Sequence, residues 1–423
     1  MAVCYRSLVV SDREITSSHS IELAEIGMDE ALWAMNNGFD ANWIFAGGNA
    51  TKTLTDPDHP PYPAVSSQPF TYDKGATGKV IISVTGYAGP NPQITVTGEM
   101  KLAGGTIITR RLRSDVIRAP LFTNAIGATS GITFSDSGLV DSYDSSQGYT
   151  APDPAHLTAL NSAAVVSAPD VNAGKAQIYG FAATLSPTLG DPTPFLYQTG
   201  AKILGPNSAS GATIDPARRS LNPIQPVFNP VTLSGAFDVA SLGSESEPLK
   251  NAVTPMSAAG IYRLDTINLS TGAELLITAP VVLIVTNSVR TSDTGRITIG
   301  PGGSLQLQIE ETNGQGLVLQ GAGIVNQSNL PQNLSVFVGG HYTGHPTSTI
   351  DADNDFYGTI YLPNDDITVW NTNIYGALVA KSVTFAGAEP SIHYDVALQR
   401  NNPPGITTPF TLKELKELKP GES

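Results

Sequence analysis

The chain has 423 residues, 41 Gly, 31 Pro and only 14% charged side chains, which suits two or three domains built from short strands and tight turns. A net charge of −14, with Arg110, Arg111 and Arg113 as the longest basic run, argues against a nucleic-acid partner because no stripe is present to neutralise phosphates. The single cysteine, Cys4, excludes a disulfide framework and a thiolate metal site, and no run of about 18 apolar residues supplies a complete membrane-spanning helix.

The first ten residues, MAVCYRSLVV, read either as the tail of an apolar helix or as an ordinary buried start. Residues 12–37 carry the one long helical pattern. Ile21, Ala24, Met28, Ala31, Leu32 and Met35 form an apolar stripe, Glu22, Glu25, Asp29 and Glu30 fall mostly on the other side, and Asn37-Gly38 supplies a stop. Residues 39–75 hold Pro57, Pro60, Pro61 and Pro63 and read as loop-rich. Alternating stretches at 78–88, 92–104 and 106–117 then predict a small antiparallel meander on which the helix packs, closing a first domain at residue 118.

Residues 119–235 are Gly/Ser/Thr-rich and nearly uncharged, and their spaced Ile, Val, Leu and Phe predict short stacked strands, the early coils of a solenoid. Between 236 and 400, β-rich segments closed by Gly, Asn or Ser recur at about 20 residues, the range of a solenoid coil. The fold class expected is therefore mainly β, with an N-terminal amphipathic α-helix on a small antiparallel sheet followed by a β-helix-like domain. A β-sandwich is the alternative, since turns every 8–12 residues suit it as well. Residues 401–423 form a charged tail or cap, with FTLKELKELKPGES read as a short helix covering the last coil, because open strand edges invite aggregation.

The stretch DFYGTIYLPNDDITVWNTNIYGALVAKSVTFAG, residues 355–387, gathers Asp355, Asp365, Asp366, Trp370 and Lys381. It is also one unit written twice. Tyr357-Gly358 aligns with Tyr375-Gly376, Ile360 with Leu378, and Ile367-Thr368-Val369 with Val383-Thr384-Phe385 after a two-residue deletion. Asp365 and Asp366 then fall where the second copy has Lys381-Ser382, at a turn, where aspartate is favoured for its bonds to neighbouring backbone.

Residues 260–398 resemble an uncharacterised β-helical domain of large bacterial surface proteins. The resemblance is carried by the repeat and by the closing SIHYDVAL, with Ile392, His393, Tyr394 and Asp395 its most specific piece. HSIELAEIGMDEALWAMNNG is similar to the part of a PilX-type minor pilin segment that follows the membrane helix, and VDSYDSS at 140–146 recurs in such proteins. The resemblance implies no enzymatic activity and no catalytic residues. It implies a membrane anchor encoded upstream of Met1 and a place in the cell envelope: periplasm, cell surface or pilus. It implies as partners other pilin-like or pilus assembly proteins, met through the N-terminal helix.

Several side-chain groups invite chemistry. Asp351, Asp353 and Asp355 alternate as in a calcium loop, but Phe356 and Leu362 stand where an EF-hand needs Gly and Glu, which leaves a looser Ca²⁺ site. His341 and His345 lie in a Gly-rich turn without the Glu of a zinc protease motif. His393 and Asp395, two apart on a strand, share a face and can interact, with no nucleophile identified beside them. A polysaccharide-active enzyme would gather Asp355, Asp365, Asp366 and Lys381 in one cleft, with Trp370 stacking on sugar. The reading adopted is a non-enzymatic surface or pilus-associated protein whose β-stack presents a surface to a glycan or protein ligand. A polysaccharide lyase or glycosidase and a calcium-dependent adhesin are the alternatives.

Overall fold

The computed structural model describes residues 2–54, 70–72, 75–87, 92–118, 121–147, 164–184, 195–220, 237–244, 246–310, 316–339, 347–399, 410–419 and 422. The chain divides into two compact units, residues 1–119 with 408–423, and residues 120–407.

In the first unit the helix runs Ala2–Asn37, so MAVCYRSLVV is helical from Ala2 onward. It stops at Gly38, whose φ of 99° no β-carbon hinders and whose N–H reaches the carbonyl of Ala34 at 2.9 Å. The buried stripe is Leu23, Ala24, Met28, Ala31 and Ala34, rotated slightly from the predicted one, with Ile21, Leu32 and Met35 at its margins. Glu22, Glu25 and Asp29 are exposed as expected, but Glu30 is buried. Lys52 meets it at 2.5 Å, and a carboxylate enters a core only with such a partner.

The stripe lies on an antiparallel sheet ordered Ile44–Ala46, Asn49–Leu54, Ala76–Thr85, Gln93–Lys101, Ile107–Arg118 and Phe410–Leu418, with Thr71–Tyr72 paired beside Ala76–Thr85. The predicted meander is its centre. Two-residue alternation sends Val80, Ile82, Val84, Ile94, Val96, Met100, Leu112 and Val116 to the helix. Glycines set the depth of contact: a β-carbon at Gly98 would stand 2.0 Å from the carbonyl oxygen of Ser20, and one at Gly27 would stand 2.5 Å from Val80 and Val96.

The C-terminal stretch corrects the sequence reading. Phe410–Leu418 is a strand paired antiparallel with Ile107–Arg118, not a helix over the last coil. Its Leu-Lys-Glu pattern favours a helix locally. The open edge of Ile107–Arg118, buried seats for Phe410 and Leu418, and an Arg110–Glu417 ion pair at 2.9 Å override that preference.

In the second unit every strand pairing among the described residues is parallel, as a β-helix-like stack requires and an antiparallel sandwich does not allow. Three ladders run along it. In the first, Gly260 pairs with Val281, Val281 with Leu305 and Leu305 with Leu334, so successive rungs advance by 21, 24 and 29 residues. Turns absorb the variation while the strands keep register.

The rungs do not stack in chain order. The described strands between Ile126 and Ser220 belong to the same stack, but they are not its early coils. Asn373–Ala386, near the end of the 237–399 run, pairs with Ile126–Phe134, and Ser391–Asp395 pairs with Leu139–Tyr143. One buried column therefore passes through both runs: Leu283, Leu307, Val336, Ile360, Leu378, Ile126, Val166, Ala182. The apolar end of the later run is closed by the start of the earlier one.

Gly98→Ala is expected to destabilise the first unit by about 1–3 kcal/mol, the usual cost of overpacking. Amide hydrogen exchange on the full chain checks this. Protection should fall in the helix around Ser20–Ala34 and stay unchanged in the strands of the 260–386 ladders.

Candidate functional site

Phe356–Trp370 and Asn373–Ala386 pair in the register that the internal repeat implies, Tyr357 with Tyr375, Gly358 with Gly376 and Ile367 with Val383, with an irregularity between Leu362 and Asp366. The Tyr-Gly step has a steric reason. Gly376 sits at φ 145°, and a β-carbon there would stand 1.9 Å from the carbonyl oxygen of Gly358.

The irregularity separates the acids. Asp366 accepts from the Ser382 hydroxyl at 2.6 Å and lies 3.7 Å from the Lys381 ammonium, both side chains half-exposed. Asp355 stands just before Phe356–Trp370, and its carboxylate accepts from Asn373 at 2.9 Å. Asp366 and Lys381 therefore meet, and Asp355 stands apart from them. Trp370 is exposed at the strand end. Among the described residues no three His, Cys, Asp or Glu side chains gather to hold a metal, so Asp351, Asp353 and Asp355 do not converge. His341 and His345 lie outside the described residues.

A denser constellation forms where the two runs meet. His393 does not pair with Asp395. Its Nδ1 is 2.6 Å from Asp141 Oδ1, on the neighbouring rung, and its Nε2 is 2.8 Å from Ser391 Oγ. The register puts His393 opposite Asp141, within VDSYDSS, so the two motifs singled out in the sequence are strand neighbours. Asp395 instead accepts from the Ser145 amide and hydroxyl, at 3.1 and 2.6 Å, and from the Ala397 amide at 3.0 Å. Ser391, His393, Asp395, Asp141 and Tyr143 are all buried.

Ser391, His393 and Asp141 have the composition of a hydrolytic triad, but the proton order is reversed. The Asp355 carboxylate can only accept, which turns the Asn373 amide nitrogen toward it and the Asn373 oxygen toward Ser391. Ser391 Oγ donates to that oxygen at 2.6 Å. Its one proton is thereby used, so Ser391 accepts from His393 Nε2–H. Its Nδ1 is engaged by Asp141. A serine whose proton points away from the histidine is not primed for attack.

Rings extend the same column. Tyr357 stacks on Tyr375 at 4.3 Å, Tyr375 on His393 at 4.5 Å, and Tyr143 meets Tyr375 edge-on. Burial pushes the Tyr143 and Tyr375 hydroxyls well above the usual phenol range, and the nearby Asp395 and Asp355 carboxylates add to it respectively. Tyr394, raised by burial too, donates inward to the Phe122 carbonyl at 2.9 Å and so ties the end of one run to the start of the other. The site is a polar clasp between rungs. Sequence reasoning found His393 and Asp395 and missed Asp141, whose proximity depends on a pairing 252 residues long, and Ser391, which the two-residue strand period places on the same face as His393.

Elsewhere on this unit an open, apolar cavity of about 390 Å³ lies at the first rungs, lined by Val239, Leu242, Met256, Tyr262, Leu264 and Leu275 among others. It suits an apolar group, not an ion.

A family model described as a domain of unknown function, DUF7305, matches residues 236–401, which includes Ser391, His393 and Asp395 but not Asp141. Among solved structures, the chain is similar to the competence-associated pilin ComZ from Thermus thermophilus at 12% identity, covering 95% of this chain and 98% of that one, with a TM-score of 0.25. That score is too low to argue from. No curated protein matches the sequence.

Removing the imidazole by His393→Ala deletes its hydrogen bonds to Asp141 and Ser391 and its stack on Tyr375, and should cost about 1–3 kcal/mol, read from the urea midpoint of the second unit. Tyr143, Tyr375 and Tyr394 should also stay protonated at pH values where free tyrosine ionises. Because their folded pKa values lie above the unfolded 10.0, the stability they contribute is fully present below pH 10 and is lost as pH rises beyond it. Phenolate absorbance during alkaline titration should therefore show a class of tyrosines that ionises only on unfolding.

Proposed function

We propose that the protein is a non-enzymatic, envelope-exposed component of a type IV pilus-like system, with a PilX-like N-terminal unit carrying a β-helix-like presenter. The observation that carries the reading is the long helix. Only one narrow stripe of small and apolar residues seats it on the sheet, while Ile15 and Ile26 stay exposed at 52% and 37%. A helix with apolar side chains left over on its outer side suits packing against other pilin-like helices. No helix among the described residues is long and apolar enough to cross a membrane.

The stacked unit suits presentation because each rung repeats a shallow flank on a stiff core. A surface glycan or a protein would bind along those flanks and turns. The reversed proton order at Ser391 supports binding over catalysis.

The test is fractionation of the native host, with the chain detected in sheared surface material and again in a strain unable to assemble pili. Recovery from the sheared fraction only when pili assemble supports the proposal, and an unchanged cytoplasmic location would sink it. Ile15→Asp and Ile26→Asp should leave the fold intact, by circular dichroism, and reduce recovery in the sheared fraction at least tenfold.

A further inference from the structure

Where the helix ends, a lysine, an aspartate and a glutamate meet in an arrangement that packing alone does not call for. Lys52, 6% exposed, donates from Nζ to Glu30 Oε1 at 2.5 Å and to Asp40 Oδ2 at 2.6 Å. Glu30 is 1% exposed on the helix, and Asp40 is just past its end. The other Asp40 oxygen, Oδ1, accepts from the Asn42 amide at 2.8 Å. Trp43, itself buried, lies with its ring 5.7 Å from Nζ and packs edge-on against Phe39. The amine nitrogen, the carboxyl group it faces, a second carboxylate on that nitrogen and a backbone donor on the carboxyl oxygen are therefore all in place beside aromatic rings.

We propose that Lys52 and Asp40 condense into an intramolecular isopeptide bond, with Glu30 as the proton shuttle. Lys52 passes one ammonium proton to Glu30 Oε1, and the neutral amine adds to Asp40 Cγ, forming the C–N bond. The charge that develops on Oδ1 is met by the Asn42 N–H, the role of an oxyanion donor. A second proton from Nζ moves to Oδ2, the C–Oδ2 bond breaks, and Glu30 returns its proton as Oδ2 leaves as water. Of the three ammonium protons, one stays on the amide and two depart with the water. Glu30 ends as it began, and no oxidant or co-reactant is required. Amide formation removes two of the three charges from a site where Lys52 and Glu30 are buried and Asp40 is 32% exposed, and buried ions are costly to hold. It also ties the end of the helix to strand Asn49–Leu54 in a chain whose single cysteine allows no internal disulfide.

The experiment is intact mass of the folded, purified full chain after denaturation, followed by trypsin. A condensed chain is lighter than its sequence by one water. Trypsin does not cut after an acylated lysine, so residues 14–74 should appear as one peptide, also one water lighter, in place of 14–52 and 53–74. That blocked cleavage distinguishes the bond from dehydration of an aspartate by its own backbone. Glu30→Gln should restore both the full mass and the cut at Lys52. Lys52→Arg, which keeps the charge but cannot condense under these conditions, should have the full mass with the helix still formed. Full mass and normal cleavage in the natural chain would overturn the proposal. A water still lost in Glu30→Gln, with the cut still blocked, would overturn the shuttle role.

Discussion

The parallel pairing of Asn373–Ala386 with Ile126–Phe134 is the contact on which the second unit rests. A parallel stack grows by covering each rung with the next, so both of its ends expose apolar columns and unpaired backbone. Here the chain builds one run outward from residue 126 and another inward from residue 237, and each closes an end of the other. Leu378 meets Ile126 and Phe385 stacks on Phe134 at 4.7 Å, so the aliphatic and aromatic columns continue across the seam as though the chain did too.

That seam explains why the polar clasp is where it is. Side chains on the inner face of a rung are specified by the column they join, and a sequence rich in Ile, Val and Leu tolerates slippage by one rung. Buried hydrogen bonds do not. His393 finds a carboxylate only when Ser391–Asp395 sits on Leu139–Tyr143 in the observed register, and Tyr394 reaches the Phe122 carbonyl only then. A slip by one rung would bring a different strand opposite Ser391–Asp395 and break the His393–Asp141 and Tyr394–Phe122 bonds together. Losing buried hydrogen bonds costs more than exchanging one aliphatic contact for another. The clasp thus sets register where hydrophobic burial alone is indifferent.

The first unit, too, pairs strands that are far apart in the chain. Ile107–Arg118 and Phe410–Leu418 are adjacent antiparallel strands, so the whole of residues 120–407 is an insertion between two neighbours in one sheet. An insertion of that size is compatible with strand pairing only if its two ends return close together. The meeting of the 126–143 and 373–395 rungs brings them back, since one is the first and the other the last of the stacked strands.

Local patterns exposed what depends on local physics. The alternation at 78–117, the Gly38 stop and the Tyr357/Tyr375 register were legible because side-chain period, backbone freedom and repetition leave marks within a few residues. Glu30 was misplaced because a helical wheel counts it as polar and cannot see Lys52 arriving from a strand. The tail misled for a related reason: Leu-Lys-Glu spacing matches a helix, yet the edge it completes lies some three hundred residues away. Asp141 carried no mark of its own, since it comes from another rung, whereas the two-residue spacing of Ser391 and His393 on one strand was a mark that went unread. Composition alone would also have misassigned them, because what distinguishes the clasp from a hydrolytic site is the direction of one hydroxyl proton, and Asp355, two hydrogen bonds away through Asn373, sets that direction.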